Sequence, residues 1–321
     1  MADGLWGPST STLTRWISFI VVEANVVFTY AFVNRAGDLP SIAEISQQYA
    51  TTFAPARFVN AIYWIIGVAV LLFFVAALRP RRRPARYYDA FSVRLAIAST
   101  LVSAWVVAFR YDQVDVVVAL TAVGVILAAN MFAQAAALPP QCSRLLRVPF
   151  ALIFGWATVA LLITTALWFN ARGWLTTIEI VTEMSLAFLA IASILGVFVA
   201  LRYREFVYPM VIAGAMGGIY VGQRPFDPTI ASAALDACIG LLIVSGLTVV
   251  ALAIEPFRRK QGPLASRSAE ERKPAHPVEP APQRRPAHAS RWPQLHVRSR
   301  TVIRQRDLDY LLDLDAATTR S

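Results

Sequence analysis

The chain has 321 residues, of which 57% are hydrophobic and 16% are charged, and its mean hydropathy is +0.53. A soluble domain carries about 25% charged residues, and here the charges lie in short clusters between long apolar runs, which excludes an ordinary soluble protein. The net charge of +10 does not indicate nucleic-acid binding, because positive charge in a membrane protein marks the cytoplasmic loops.

Eight apolar runs predict membrane helices in chain order. A bilayer core needs about 20 residues of helix, and backbone groups must be satisfied within each segment in lipid. The seventh run is short and glycine-rich, so a tilted or re-entrant segment is also compatible with it. The sequence therefore predicts an all-α, polytopic transmembrane bundle with about eight spans, at residues 16–34, 58–78, 93–109, 114–137, 148–169, 178–201, 207–222 and 230–254.

The basic residues between these runs predict the orientation in the bilayer. They lie on one side if the helices alternate in direction, and cytoplasmic loops carry the excess of Lys and Arg. We therefore expect the N- and C-termini to be cytoplasmic and the short segment 1–14 to be retained, since it lacks the basic start of a cleaved signal. The residues that carry this prediction include Arg81, Arg82, Arg83, Arg144, Arg147, Arg202 and Arg204.

Residues 256–321 form a predicted disordered, basic, Pro- and Arg-rich cytoplasmic tail. Few of its side chains are apolar, so it cannot bury enough surface to offset the entropy of ordering. Near its end, Leu308, Leu311, Leu312 and Asp315 follow helical spacing. This pattern predicts either a short helix that binds a cytoplasmic protein partner or the membrane rim, or a frayed end.

No catalytic residue or metal site is predicted. The three histidines, His276, His288 and His296, all lie in the tail, so no histidine is available in a membrane helix as a haem or metal ligand. Phosphate-binding loops and nucleophile motifs are also missing from the sequence. An enzymatic function is not indicated.

Acidic side chains within the apolar runs are candidate functional groups. They are Glu23 in the first run, Glu179 and Glu183 in the sixth, and Asp236 in the eighth. A charge at the centre of a membrane helix costs about 3 kcal/mol or more, and such groups usually face the bundle interior. They would bind a proton, a cation or the polar edge of a ligand, or else reach the headgroups or pair with Arg.

Two further patterns concern packing and aromatic surface. Gly214, Gly218 and Gly222 recur every four residues in the seventh run, which predicts the close approach of another helix, either within the chain or in a homodimer. Trp64, Trp105 and Trp156 lie inside predicted spans. Their large aromatic faces would line a site for a flat apolar ligand or serve ordinary helix packing.

Several short motifs occur in a defined order along the chain. Residues 42–49, Ile-Ala-Glu-Ile-Ser-Gln-Gln-Tyr, and 53–59, Phe-Ala-Pro-Ala-Arg-Phe-Val, resemble the loop and second-helix entry of the TspO/MBR (tryptophan-rich sensory protein) family, in particular its longer bacterial forms with extra C-terminal helices. The sequence departs from the family at Arg57, where Gly is usual, and at Tyr63-Trp64, which replaces Trp-Gly. Further matching motifs are Ser103-Ala104-Trp105, Tyr111-Asp112-Gln113, Gly155-Trp156 and Tyr208-Pro209.

The resemblance implies a five-helix membrane unit at 15–170, followed by three additional helices at 171–255. It implies a porphyrin or related tetrapyrrole, or a sterol-like molecule, bound between the first five helices by a sensor or carrier of the bacterial cytoplasmic (inner) membrane. Trp64, Trp105 and Trp156 would line the cavity. The 35–57 loop would close it through Tyr49, Phe53 and Pro55, with polar contacts from Asn60 and Glu23.

Two other functions stay open from the sequence. One is a proton- or cation-coupled transporter of a small solute, in which Glu23, Glu179, Glu183 and Asp236 would carry the coupling ion. The other is a membrane scaffold whose tail binds a cytoplasmic protein.

Overall fold

A computed structural model describes residues 10–34, 52–78, 85–138 and 147–270, and every regular element in these ranges is helical. The all-α prediction is confirmed. A 3₁₀ helix, Arg57–Ala61, precedes the second α-helix. The α-helices are α1 (Thr10–Asn34), α2 (Ile62–Leu78), α3 (Ala85–Arg110), α4 (Val114–Ala137), α5 (Arg147–Ala171), α6 (Ile178–Tyr203), α7 (Val207–Gln223) and α8 (Pro228–Glu270).

Seven of these helices are long and apolar enough to cross a membrane, and α7 is the exception. With 17 residues, α7 is about 25 Å long, since an α-helix rises 1.5 Å per residue. It is nevertheless the helix with the most complete burial, and Tyr208, Ile212, Met216 and Ile219 are fully enclosed. The short, glycine-rich seventh run is therefore a central packing element of the bundle.

Constant spacing between contacting residues shows that α1 and α3 run parallel. Arg15 pairs with Asp89, Asn25 with Ser99 and Thr29 with Ser103, and each pair is 74 positions apart. The same reasoning applies to α6 and α8. Thr182 bonds to Asp227, and a side chain at Gly196 would meet Leu241, again with a constant separation of 45 positions. The short α7 thus runs in the opposite direction and returns the chain across the bundle, so that the chain crosses the bundle eight times.

The main core receives buried residues from all eight helices, with the largest shares from α5 and α7, and it is rich in aromatic rings. Phe150 of α5 stacks on Phe91 with ring centroids 4.6 Å apart and lies edge-on to Phe73 at 5.6 Å. The outer faces of the helices carry exposed apolar side chains instead. These faces are most extensive on α1 and α8, where only 11% of the membrane-spanning residues are buried. This inverted surface is what a lipid environment requires, so the prediction of a multi-pass membrane protein is confirmed.

The largest differences from the predicted helix boundaries are at α3 and α8, and α1 also begins early, at Thr10 rather than at residue 16. Helix α3 begins at Ala85 rather than at residue 93, because its polar first turns are paired, for example Asp89 with Arg15, and hydropathy marks only the apolar part. Helix α8 continues to Glu270, past the predicted start of the disordered tail at 256, where Arg, Lys, Gln and Ala favour helix. Contacts divide the chain into units 1–265 and 266–321, and the tail after Glu270 lies outside the described residues.

Candidate functional site

The segment from Thr52 to Ala61 packs against the glycines of α7. The Ala56 backbone N–H donates a hydrogen bond to the Gly218 carbonyl oxygen at 3.0 Å. A Cβ at Gly218 would lie 2.2 Å from Val59 Cγ2 and 3.0 Å from Pro55 Cβ. These distances are too short for any side chain, so only glycine allows this contact.

The other predicted packing glycines have different surroundings. A Cβ at Gly222 would approach the Ala54 carbonyl oxygen at 3.6 Å, whereas Gly214 has open space around it. The close approach at Gly218 and Gly222 thus involves the 52–61 segment, rather than the second helix that the spacing led us to expect.

The start of this segment is fixed to α6. Phe53 is fully buried, and its ring lies edge-on to Phe188 with centroids 5.5 Å apart. The hydroxyl groups of Thr52 and Ser185 form a hydrogen bond of 2.6 Å. The end of the predicted lid loop is therefore anchored on both α6 and α7, while Tyr49 lies outside the described residues.

The Gly155-Trp156 pair connects α5 with α2 and α7. Trp156 is 9% exposed, and its ring lies edge-on to Tyr63, at the start of α2, with centroids 5.3 Å apart. Gly155 allows α7 to approach α5, since a Cβ there would meet Val211 Cβ at 3.0 Å. Two residues after Trp156, the Thr158 and Tyr208 hydroxyls are hydrogen-bonded at 3.1 Å.

The three tryptophans predicted to share a cavity lie in different environments. Trp64 is 75% exposed on the outer face of α2. Trp105 stacks on Phe109 with centroids 5.1 Å apart and belongs to a separate apolar cluster with Leu167. The structure therefore places Phe53 against α6, Pro55 against α7 and Trp156 against Tyr63 of α2, and it leaves Trp64 and Trp105 elsewhere. Asn60 is exposed and Glu23 is half-buried.

The best-formed concavities among the described residues lie away from this region. A small one is lined by Phe109, Asp112, Gln113, Val114, Val117 and Leu167. An open groove of about 400 Å³ runs along α6 past Ser193, Ile194, Val197 and Phe198. Neither of these two concavities is lined by Phe53, Pro55 or Trp156.

The predicted acidic residues are distributed over three helices. Glu23 lies on α1, Glu179 and Glu183 on α6, and Asp236 on α8, and all but Glu23 are exposed. In the described part of the chain, no group of three His, Cys, Asp or Glu side chains could hold a metal ion.

A seam of polar contacts joins α1 to α3. It includes Asn25 and further residues that the sequence analysis did not single out as functional. Ser103 Oγ donates to Asn25 Oδ1 at 2.7 Å, and Arg15 bonds to Asp89 at 2.6 Å. At the other end of the seam, the Arg110 guanidinium donates to the Phe32 carbonyl oxygen at 2.6 Å. The signal was available, because polar residues recur at a seven-residue spacing on both helices, as in Ser18 and Asn25 of α1 and Ser92 and Ser99 of α3.

Carboxylates outside the predicted set hold helix ends. Asp227 caps α8 by accepting from the Thr229 and Ile230 amides at 2.9 and 3.1 Å, and Asp-Pro is a typical start signal. Asp115 of α4 accepts hydrogen bonds from Trp168 at 2.6 Å and from Arg172. The hydrogen bond to Asp115 raises the pKa of the Arg172 guanidinium above its ordinary value.

Comparisons with known proteins give one match. The model of a family described as TSPO-like protein matches residues 14–247, which extends from α1 well into α8. No curated protein and no solved structure matches the chain. Because the family model covers well over half of the sequence, the chain belongs to the TSPO-like family.

Proposed function

We propose that this TSPO-like membrane protein binds a flat apolar ligand, such as a tetrapyrrole or a sterol-like molecule, as a sensor or a carrier. The observation that supports this function best is the packing of the 52–61 segment against α6 and α7. Phe53 of the segment pairs with Phe188 of α6, and Tyr63, two residues after the segment, pairs with Trp156 of α5.

The attachments of this segment allow it to act as a lid. Its polar links to the helices include the Thr52–Ser185 hydroxyl pair and the Ala56–Gly218 backbone bond. Net hydrogen bonds of this kind contribute about 1 kcal/mol each, and withdrawing the buried Phe53 side chain costs about 1.5–3 kcal/mol more. A ligand that stacks on the uncovered rings would have to offset these costs. An aromatic pair adds about 0.5–1.5 kcal/mol beyond its buried area.

A porphyrin titration tests this function. Protoporphyrin IX would be added to the protein in lipid nanodiscs, and binding followed by the anisotropy of the porphyrin's own fluorescence. We expect saturable binding that weakens about tenfold in Trp156→Phe. Trp174→Phe is the matched control, because Trp174 is 58% exposed and stacks on Phe169 at the far end of α5.

Two outcomes would contradict the proposal. One is the lack of saturable binding for protoporphyrin IX, haem and a sterol probe alike. The other is an equal loss of affinity in the two variants, which would place the ligand outside the Trp156 region.

The transporter and the scaffold stay predictions from the sequence. The acidic residues that a transporter would use lie on three different helices, and the tail that a scaffold would use lies beyond the described residues. A transporter would be detected as a pH-dependent solute flux in proteoliposomes that Asp236→Asn abolishes. A scaffold would be detected as a loss of function on deleting residues 271–321 while ligand binding stays intact.

A further inference from the structure

Two arginines flank the contact between the 52–61 segment and α7. A Cβ at Gly222 would lie 4.0 Å from the Ala56 Cα. Arg57 follows Ala56 directly, and Arg224 follows Gly222 by two positions. Because consecutive Cα atoms are about 3.8 Å apart, the Cα atoms of the two arginines are at most about 17 Å apart. Two long side chains and one anionic ligand can span such a distance.

Neither guanidinium group of this pair has a partner in the described part of the chain. Both side chains are exposed, and neither forms a hydrogen bond or an ion pair there. Arg110 and Arg172, which lie at the same end of the bundle, instead donate hydrogen bonds to a carbonyl oxygen and to a carboxylate of the protein. Contacts within the protein thus account for Arg110 and Arg172 and leave Arg57 and Arg224 available to a partner from outside.

The carboxylate nearest to Arg224 along the chain is already engaged. Asp227 accepts hydrogen bonds through Oδ1 from the Thr229 and Ile230 amides, and through Oδ2 from the Thr182 hydroxyl at 3.1 Å. These bonds hold the carboxylate at the start of α8. The positive charge of Arg224 is therefore not neutralised by an ion pair within the described residues.

Aromatic rings accompany the two arginines. Phe58 follows Arg57 and is 61% exposed, and Phe226, in the link between α7 and α8, is 81% exposed. Toward the bundle, the ring of Tyr63 pairs with that of Trp156, and the helical rise from residue 57 to residue 63 is about 11 Å. Positive charge at the rim with aromatic rings further inward suits a ligand that has an apolar body and an anionic edge.

We propose that Arg57 and Arg224 bind carboxylate groups of the ligand, so that the protein selects flat amphiphiles with an anionic edge, such as a dicarboxylic tetrapyrrole, over neutral molecules such as a sterol. This inference rests on the proposed function and narrows its ligand class. A guanidinium group matches a carboxylate through two parallel hydrogen bonds. The apolar body of the ligand then extends toward Tyr63 and Trp156, while its carboxylates stay at the water-accessible rim.

Protoporphyrin IX and its dimethyl ester test this inference, because the two compounds share one macrocycle and differ only in whether their carboxyl groups are free. Binding would be measured in phosphatidylcholine nanodiscs and corrected for partitioning into nanodiscs without protein. We expect the wild type to bind the free acid at least tenfold more tightly than the ester.

Replacing the arginines should remove this preference. We expect Arg57→Gln and Arg224→Gln each to weaken binding of the free acid about fivefold and to leave binding of the ester unchanged. Arg172→Gln is the matched control, because this arginine lies at the same end of the bundle but bonds to Asp115, and it should not change the affinity for either compound. An unchanged midpoint of thermal unfolding in Arg57→Gln and Arg224→Gln, as expected for exposed side chains, would show that both variants fold.

Three results would overturn this inference and leave the proposed function standing. One is equal affinity of the wild type for the acid and the ester, and another is binding of a sterol probe but of neither porphyrin. The third is an effect of the two substitutions that is absent, or equal for the acid and the ester. If the wild type also retained phosphatidylglycerol in detergent more strongly than the variants, the arginines would bind lipid headgroups instead. A lack of saturable binding for all three compounds would contradict the proposed function itself.

Discussion

At the residue scale, Gly218 determines how the 52–61 segment joins the bundle. A spacing of four between glycines predicted the close approach of a helix, and the closest approach in the structure is that of Val59 and Pro55. The pattern identified a position where a side chain would obstruct a neighbour. It could not identify the neighbour, because an α-helix and an extended segment both require the same missing Cβ.

Replacing Gly218 or Gly214 with Ala distinguishes the roles of these two glycines. Gly218→Ala brings a Cβ to 2.2 Å from Val59 Cγ2, and we expect it to lower the free energy of unfolding by about 1–3 kcal/mol, as overpacking does. It should also release the segment, which increased labelling of a cysteine placed at Val59 would report.

The control for this prediction is Gly214→Ala, where nothing lies within 4 Å of the new Cβ. It should be neutral or slightly stabilising, since Ala favours helix over Gly by about 1 kcal/mol. Similar losses of stability in the two variants would show that helix geometry, and not the contact with the segment, is what requires glycine.

At the scale of elements, the α1–α3 seam replaces apolar packing with polar contacts inside the membrane. Lipid does not drive apolar helices together, so hydrogen bonds and close packing must join them. Asn25 connects to Ser99, Thr100 and Ser103 of α3. This interface gives α1, which is largely lipid-exposed, a defined register.

A double-mutant cycle between Asn25 and Ser103 measures this seam. We expect Asn25→Ala and Ser103→Ala each to lower the free energy of unfolding in mixed micelles by about 1 kcal/mol, with a coupling energy of about 0.6–2 kcal/mol, the range for hydrogen bonds between membrane helices. Thr165→Ala is the control, because its hydroxyl bonds to the Leu161 carbonyl oxygen of its own helix. A coupling energy near zero would mean that the seam is held by shape alone.

At the scale of the whole molecule, the eight passes of the chain determine which helix ends and basic loops lie at the same end of the bundle. The parallel directions of α6 and α8 require α7 to return the chain, so α1 begins at the same end of the bundle at which α8 leaves it near Ile254. The family match to residues 14–247 begins within α1, includes α2 to α7 and ends within α8. The five-helix unit at 15–170 stays a prediction, and in the structure α5 packs against α2 and α4 as well as α6 and α7.

Cysteine accessibility in inverted and right-side-out vesicles tests the orientation. Cysteines at positions 82 and 262 should react with an impermeant thiol reagent only from the cytoplasmic face, because the basic links stay inside. Cysteines at positions 112 and 225 should react only from the opposite face. Labelling of 82 and 262 from different faces would contradict both the even number of crossings and the cytoplasmic termini.

The sequence by itself determined the membrane environment, the helices and the family. Apolar runs in lipid can satisfy their backbone hydrogen bonds only as helices, and the order of the family motifs can be read directly from the sequence. Tertiary structure decided which residues meet. It paired Trp156 with Tyr63 of α2, left Trp64 at the outer surface and buried the short α7 at the centre. Hydropathy indicates only that an apolar residue favours the membrane. Whether its side chain then faces lipid or protein depends on the helix beside it.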